Sequence, residues 1–80
     1  MIKNNSLFKI DKKIVLITGV SGQLGEAFAN LYLDNGCIVY GIDIKKSKIK
    51  NKKYVFLKSD VTKRKNISNI LNYIIKIHKK

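Results

Sequence analysis

Eighty residues carry 17 Lys and Arg against 5 Asp and Glu, for a net charge of +12. A chain of this length supports one small domain and buries only about 60% of its unfolded surface. It has no apolar run near the ~20 residues of a membrane span, and its single Cys37 excludes an internal disulfide and a multi-Cys metal site, so it reads as a cytoplasmic chain.

Residues 1–13 read as a polar arm, which adds at most a short turn before the first strand. Ile14–Thr18 is a continuous apolar run, the pattern of a parallel strand covered on both faces. The octet Thr18-Gly19-Val20-Ser21-Gly22-Gln23-Leu24-Gly25 follows, leading into a helix expected from Gln23 to about Asn35. Leu24, Ala27, Phe28 and Leu31 fall at i, i+3, i+4 and i+7 and predict its buried stripe. Asn35-Gly36 supplies a left-handed stop. Ile38–Asp43 predicts a second strand, opened by Cys37 as a small apolar residue. Ile44–Lys53 is short for a crossover between parallel strands and predicts one helical turn or none. Tyr54–Leu57 predicts a third strand. A last helix then runs to about His78, burying Ile67, Ile70, Leu71 and Ile74, with Lys76, Lys79 and Lys80 at the negative end of its dipole.

The octet carries the chemistry. Gly19 suits a tight strand-to-helix turn because a residue without Cβ reaches positive φ at little cost. Gly22 lets backbone approach a pyrophosphate, and Gly25 lets the helix lie close to the strand. The helix N-terminus offers unpaired N–H groups and a positive dipole end to phosphates. Asp43 ends the second strand, where a dinucleotide-binding unit places the carboxylate for the adenosine ribose. That carboxylate favours NAD, since it would repel the 2′-phosphate of NADP; Lys45 and Lys46 partly offset the repulsion and leave NADP open.

The remaining features carry less. Six lysines fall within Lys45–Lys53, but no aromatic residues alternate with them, as a single-strand nucleic-acid binder would need. Lys, Asn and Ile also share A/T-rich codons, so nucleic acid is not the expected partner, and neither is a membrane. His78 stands among lysines and reads as a surface residue. Asp11, Glu26 and Asp34 show no paired spacing for carboxylate catalysis, and no His/Cys/Asp cluster has metal-ligand spacing.

With these residues in view, the stretch from about Leu7 to Lys80 resembles the N-terminal part of a short-chain dehydrogenase/reductase. Phe8–Gly19 resembles that family's lead into its first strand, and Asp60-Val61-Thr62 resembles its second acidic signature, which holds the adenine. The resemblance implies nucleotide contacts from Gly19, Ser21, Gln23, Leu24, Asp43, Ile44, Asp60 and Val61. It also implies an α/β fold: a partial, doubly wound Rossmann arrangement in the order β-α-β-β-α, with about three parallel strands and two main helices. Residues 14–43 would form the βαβ unit with the glycine-rich turn, and residues 54–80 the third strand and last helix. The glycine spacing Gly19-x-x-Gly22-x-x-Gly25 is that of the family's extended branch, whose members often act on nucleotide-sugars. The Phe8–Thr18 lead, Asp60-Val61-Thr62 and the last helix side with the ordinary branch.

Family members carry a catalytic Ser and a helical Tyr-x-x-x-Lys pair beyond this segment. Tyr54 and Lys58 match that spacing by letter, but on a strand they stand roughly 13 Å apart, and no catalytic residue is assigned. A sheet ordered third-second-first strand would leave Ile14–Ile17 as an open edge, a slot the family fills with its next strand. The expectation is therefore an N-terminal fragment of an NAD(P)-dependent oxidoreductase, which binds the cofactor for hydride transfer, is inactive alone, and has the rest of the enzyme as its partner. The alternatives are a fragment of a nucleotide-sugar epimerase/dehydratase, or a small non-catalytic nucleotide- or nucleic-acid-binding module.

Overall fold

The computed structural model describes residues 6–11 and 13–78. Six elements follow in chain order: β1 (Ser6–Asp11), β2 (Ile14–Thr18), α1 (Gln23–Asp34), β3 (Ile38–Asp43), β4 (Tyr54–Lys58) and α2 (Arg64–His78). One sheet is ordered β1-β2-β3-β4. β2, β3 and β4 run parallel, with Ile14 beside Ile38 and Val39 beside Tyr54, which is the expected three-stranded core with two helices. The Ile44–Lys53 crossover contains no helix. No helix among the described residues is long and apolar enough to cross a membrane.

The N-terminal arm departs from expectation. Residues Ser6–Asp11 form a strand antiparallel to β2, pairing Ser6 with Thr18 and Leu7 with Ile17. β2 is therefore an interior strand, and the bare edge expected at Ile14–Ile17 is covered. Backbone N–H and C=O groups beside buried apolar surface require partners, and the arm provides them. Leu7 adds packing, resting on the cluster that contains Val15 and Ile17. Residues 1–5, like Lys79 and Lys80 at the other end, lie outside the described residues.

Strand alternation divides the core into two layers. Val15, Ile17 and Val39 face α1 and pack with Val20, Ala29, Leu33 and Cys37. Ile14, Leu16, Tyr40 and Ile42 face the other way, against Ile74 of α2. Burial on both faces accounts for the unbroken apolar run of β2. The α2 stripe is as expected, with Ile67, Ile70 and Leu71 packed around the buried Ile74.

The α1 stripe is not. Gly25, Ala29 and Leu33 are its buried positions, whereas Leu24, Phe28 and Leu31 are 39%, 36% and 55% exposed and Ala27 is also exposed. Gly25 and Ala29 let this face approach the sheet closely while Leu33 fills the core beside them, and that outweighs the face with the most apolar side chains. The helix stops as expected: Gly36 has φ 82°, its N–H donates to the Leu33 carbonyl, and the Cys37 N–H donates to that of Tyr32. His78 also differs from the surface reading. It is half-buried, its Nε2 lies 2.6 Å from the Tyr40 hydroxyl, and the two rings meet edge to face.

Candidate functional site

The glycine octet leaves the C-terminal end of β2 and turns into α1. Gly19 takes φ 67°, the conformation expected of it. The Gly22 N–H donates back to the Gly19 carbonyl at 3.2 Å, and the first helical bond runs from the Glu26 N–H to the Gly22 carbonyl at 2.9 Å. Gly22 caps α1 in extended backbone, with no side-chain hydrogen bond to the cap. The N–H groups of Gln23, Leu24 and Gly25 thus have no side-chain acceptor, which is the condition under which a helix end attracts an anion. A Cβ on Gly22 would meet the Gly19 carbonyl oxygen at 3.5 Å, an ordinary contact. The protein's own packing does not demand glycine there, and the space above it is open to a ligand.

Asp43 closes the other side of the turn. Its Oδ2 accepts the Ser21 N–H at 3.0 Å, and its Oδ1 accepts the N–H groups of Ile44 at 2.7 Å and Lys45 at 3.2 Å. The Ser21 hydroxyl donates to the Lys45 carbonyl at 2.6 Å. Strand register brings in the third segment. Asp43 stands beside Lys58, and the Ser59 N–H donates to the Asp43 carbonyl at 3.1 Å.

Asp60 sits in the turn after β4. Its Oδ1 accepts both the Thr62 N–H at 2.9 Å and the Thr62 hydroxyl at 2.6 Å. The Thr62 hydroxyl first, then its N–H, hold the Asp60 carboxyl below the usual carboxylate range, and the Lys63 charge adds to the effect. The Asn66 amide donates to the Asp60 carbonyl at 2.9 Å, fixing this turn to the start of α2.

These three turns enclose one cleft of about 350 Å³. Of the residues expected in a nucleotide site, Gly19, Ser21, Gly22, Asp43, Ile44, Asp60 and Val61 line it. Gln23, Leu24 and Gly25 do not. They form the first turn of α1, with Gln23 and Leu24 exposed and Gly25 buried toward the sheet. Ser59, outside every expected motif, lines the cleft, as do Thr62, which closes the acidic signature but is not among its implied contacts, and Lys45, considered only for its charge. No sequence signal points to Ser59: the parallel register of β3 and β4 places the residue after β4 beside the end of β3.

Beneath the site, Gly41 is needed for space: a Cβ there would lie 2.5 Å from the Tyr54 hydroxyl and 2.8 Å from both Val20 methyls. The Tyr54 hydroxyl donates to Ser47 Oγ at 2.7 Å. Burial pushes its phenol above the ordinary value, with the Ser47 bond opposing and the charges of Asp43 and Glu26 adding. Tyr54 and Lys58 are the two ends of strand β4 and do not share a helical turn. Among the described residues no group of three His, Cys, Asp or Glu side chains could hold a metal ion.

Comparison with known proteins gives a consistent set of relatives. Residues 15–77 match the family described as the NAD dependent epimerase/dehydratase family. The chain is 48% identical over 66 aligned positions to the bifunctional polymyxin resistance protein ArnA of Wigglesworthia glossinidia brevipalpis, covering 76% of this chain and 10% of that protein. It is 30% identical over 79 positions to the NAD-dependent glycerol dehydrogenase of Listeria innocua serovar 6a, covering 91% of this chain and 31% of that one. Among solved structures, a short chain dehydrogenase from Leptospira borgpetersenii serovar Hardjo-bovis with bound NAD+ superposes with a TM-score of 0.74 at 30% identity, over 84% of this chain and 27% of the other. The chain thus spans between about a tenth and a third of the length of these relatives.

Proposed function

Because the chain belongs to the NAD dependent epimerase/dehydratase family, we propose that its cleft holds the adenosine and pyrophosphate of NAD. In this reading the chain forms the dinucleotide-binding part of an oxidoreductase. The observation that carries it is the meeting of an uncapped helix N-terminus, a glycine with open space above it, and a carboxylate at the end of the adjacent parallel strand. The Leptospira relative of the same fold has NAD+ bound.

Each residue's share follows from its position. The N-terminus of α1, capped by Gly22 on the cleft wall, turns its positive dipole end toward the pyrophosphate charge. Gly22 sets how near the phosphates approach. Asp43 accepts a ribose hydroxyl and disfavours a 2′-phosphate, while Asp60 and Val61 border the adenine. NAD, when bound, supplies the hydride acceptor or donor for a carbonyl or hydroxyl substrate. No residue of this chain is assigned to that chemical step, and the substrate is set elsewhere in the enzyme.

A second reading concerns the branch. The Gly19-x-x-Gly22-x-x-Gly25 spacing and the epimerase/dehydratase match favour an enzyme acting on nucleotide-sugars, while the similarity to a glycerol dehydrogenase favours a small alcohol. The cofactor role is common to both.

Gly22→Ala tests the cofactor role directly. The protein has room for the methyl, so thermal unfolding should be unchanged, while calorimetric titration should show NAD bound about tenfold more weakly because the phosphates lose their closest approach. NAD binding equal to that of the unsubstituted protein, or none in either, overturns the reading.

A further inference from the structure

Ser21 lies inside the glycine turn, where a nucleotide contact is expected, yet both of its polar groups bond to the end of β3. The N–H goes to Asp43 Oδ2 and the hydroxyl to the Lys45 carbonyl. The N–H of Lys45 returns to Asp43 Oδ1. The result is a closed ring, Ser21 to Asp43 to Lys45 and back to Ser21, joining two segments that are otherwise distant in sequence. The Ile44 N–H adds a further bond to Oδ1. A carboxylate has about four acceptor positions. Oδ1 takes two N–H groups and Oδ2 one, so the open position is on Oδ2, the oxygen held by Ser21.

We propose that Ser21 is a positioning residue, whose hydroxyl holds residues 43–45 as a fixed rim so that Asp43 presents its open acceptor position to the cleft and the site prefers a free ribose 2′-hydroxyl to a 2′-phosphate. The inference rests on the reading of this cleft as a dinucleotide site and assigns Ser21 a role through Asp43 in place of direct contact. Asp43 alone would repel a 2′-phosphate only while its carboxylate stays in place. The Lys45 side chain is exposed on the same rim. Without the hydroxyl bond the Lys45 peptide is held from one side only, and its ammonium gains freedom to meet a phosphate. Fixing the rim before binding also removes an ordering cost from the binding step.

The test compares Ser21→Ala and Ser21→Thr with the unsubstituted full chain, using NAD and NADP as probes in calorimetric titration. Ser21→Ala should weaken NAD by about fivefold, the effect of one ordinary hydrogen bond, and NADP by less, so that the ratio of the two affinities falls. Ser21→Thr keeps the hydroxyl and should restore the ratio. A second measurement needs no nucleotide. Amide hydrogen exchange at Ile44 and Lys45 should quicken in Ser21→Ala and not in Ser21→Thr, with the amides of β2 unchanged. Equal loss of NAD and NADP, no loss of either, or unchanged exchange at Ile44 and Lys45 overturns the role of Ser21 while leaving the cofactor reading intact. Failure of the unsubstituted protein to bind either nucleotide overturns the cofactor reading, and the specificity role with it.

Discussion

The two acid-bearing turns at the ends of β3 and β4 look alike in sequence and are built differently. Asp43 is a joint. It accepts from Ser21, Ile44 and Lys45, and the Ser21 bond spans 22 positions of chain. Asp60 is self-contained: its carboxylate is engaged by Thr62, two residues on. A carboxylate that links segments sets the shape of a cleft, whereas one that closes its own turn only decorates the wall. The two walls of the site therefore differ in how far a change spreads.

The largest expected effect strains the Asp43 side from below. Gly41→Ala pushes a methyl against the Val20 methyls and the Tyr54 hydroxyl. Val20 is β-branched and stiff, so the cost should be about 1–3 kcal/mol of stability, read from urea denaturation. A loss under about 0.5 kcal/mol would mean that the floor under the glycine turn is softer than its packing indicates.

Next comes the carboxylate pair itself. Asp43→Ala removes the acceptor of three N–H groups, one of them across segments. It should cost about 1–2 kcal/mol, speed exchange at the Ser21 amide, and weaken NAD more than NADP. Asp60→Ala should leave the Ser21 amide as protected as before. If both variants loosen Ser21 equally, the contrast between joint and self-contained turn disappears.

The smallest effect is one of pH. The Asp60 carboxyl is held below its ordinary value by Thr62, so its ionised form adds stability at neutral pH. That increment is lost as acidification passes through the lowered value. Asp60→Asn should accordingly melt slightly earlier than the unsubstituted protein at pH 7, and the gap should begin to narrow below about pH 4, where the free carboxyl protonates, and close once the pH falls below the lowered value. A gap that persists in acid would assign the effect to packing.

Much of this arrangement is legible in the residues. The Ile14–Thr18 and Ile38–Asp43 runs, the Gly19 turn and the Gly36 stop depend on local chemistry, and local chemistry can be read from sequence. The features that are not legible are those decided across the chain. The α1 stripe points to Leu24, Phe28 and Leu31 if only hydrophobicity is weighed, but the sheet takes the other face, where Gly25 and Ala29 permit close approach and Leu33 packs into the core. His78 has lysine neighbours in sequence, while its partner Tyr40 is 38 positions away. At the site, Asp43 stands out by its place after a strand. Its bond to Ser21, and the arrival of Ser59 beside it, depend on two parallel registers that composition does not encode.

The β1 strand also bears on how the sheet assembles. Pairing β1 with β2 requires closing only residues 12 and 13, whereas pairing β2 with β3 must close residues 19–37, and loop-closure entropy rises with the length enclosed. The most apolar strand of the protein thus has a neighbour within reach at the lowest entropic cost of any pairing in the sheet. Hairpins of this kind form in about 1–10 μs, ahead of pairings that wait on a helical crossover. The strand that most needs shielding from other chains therefore has its cover on the shortest tether in the sheet, and its other side takes the parallel neighbour.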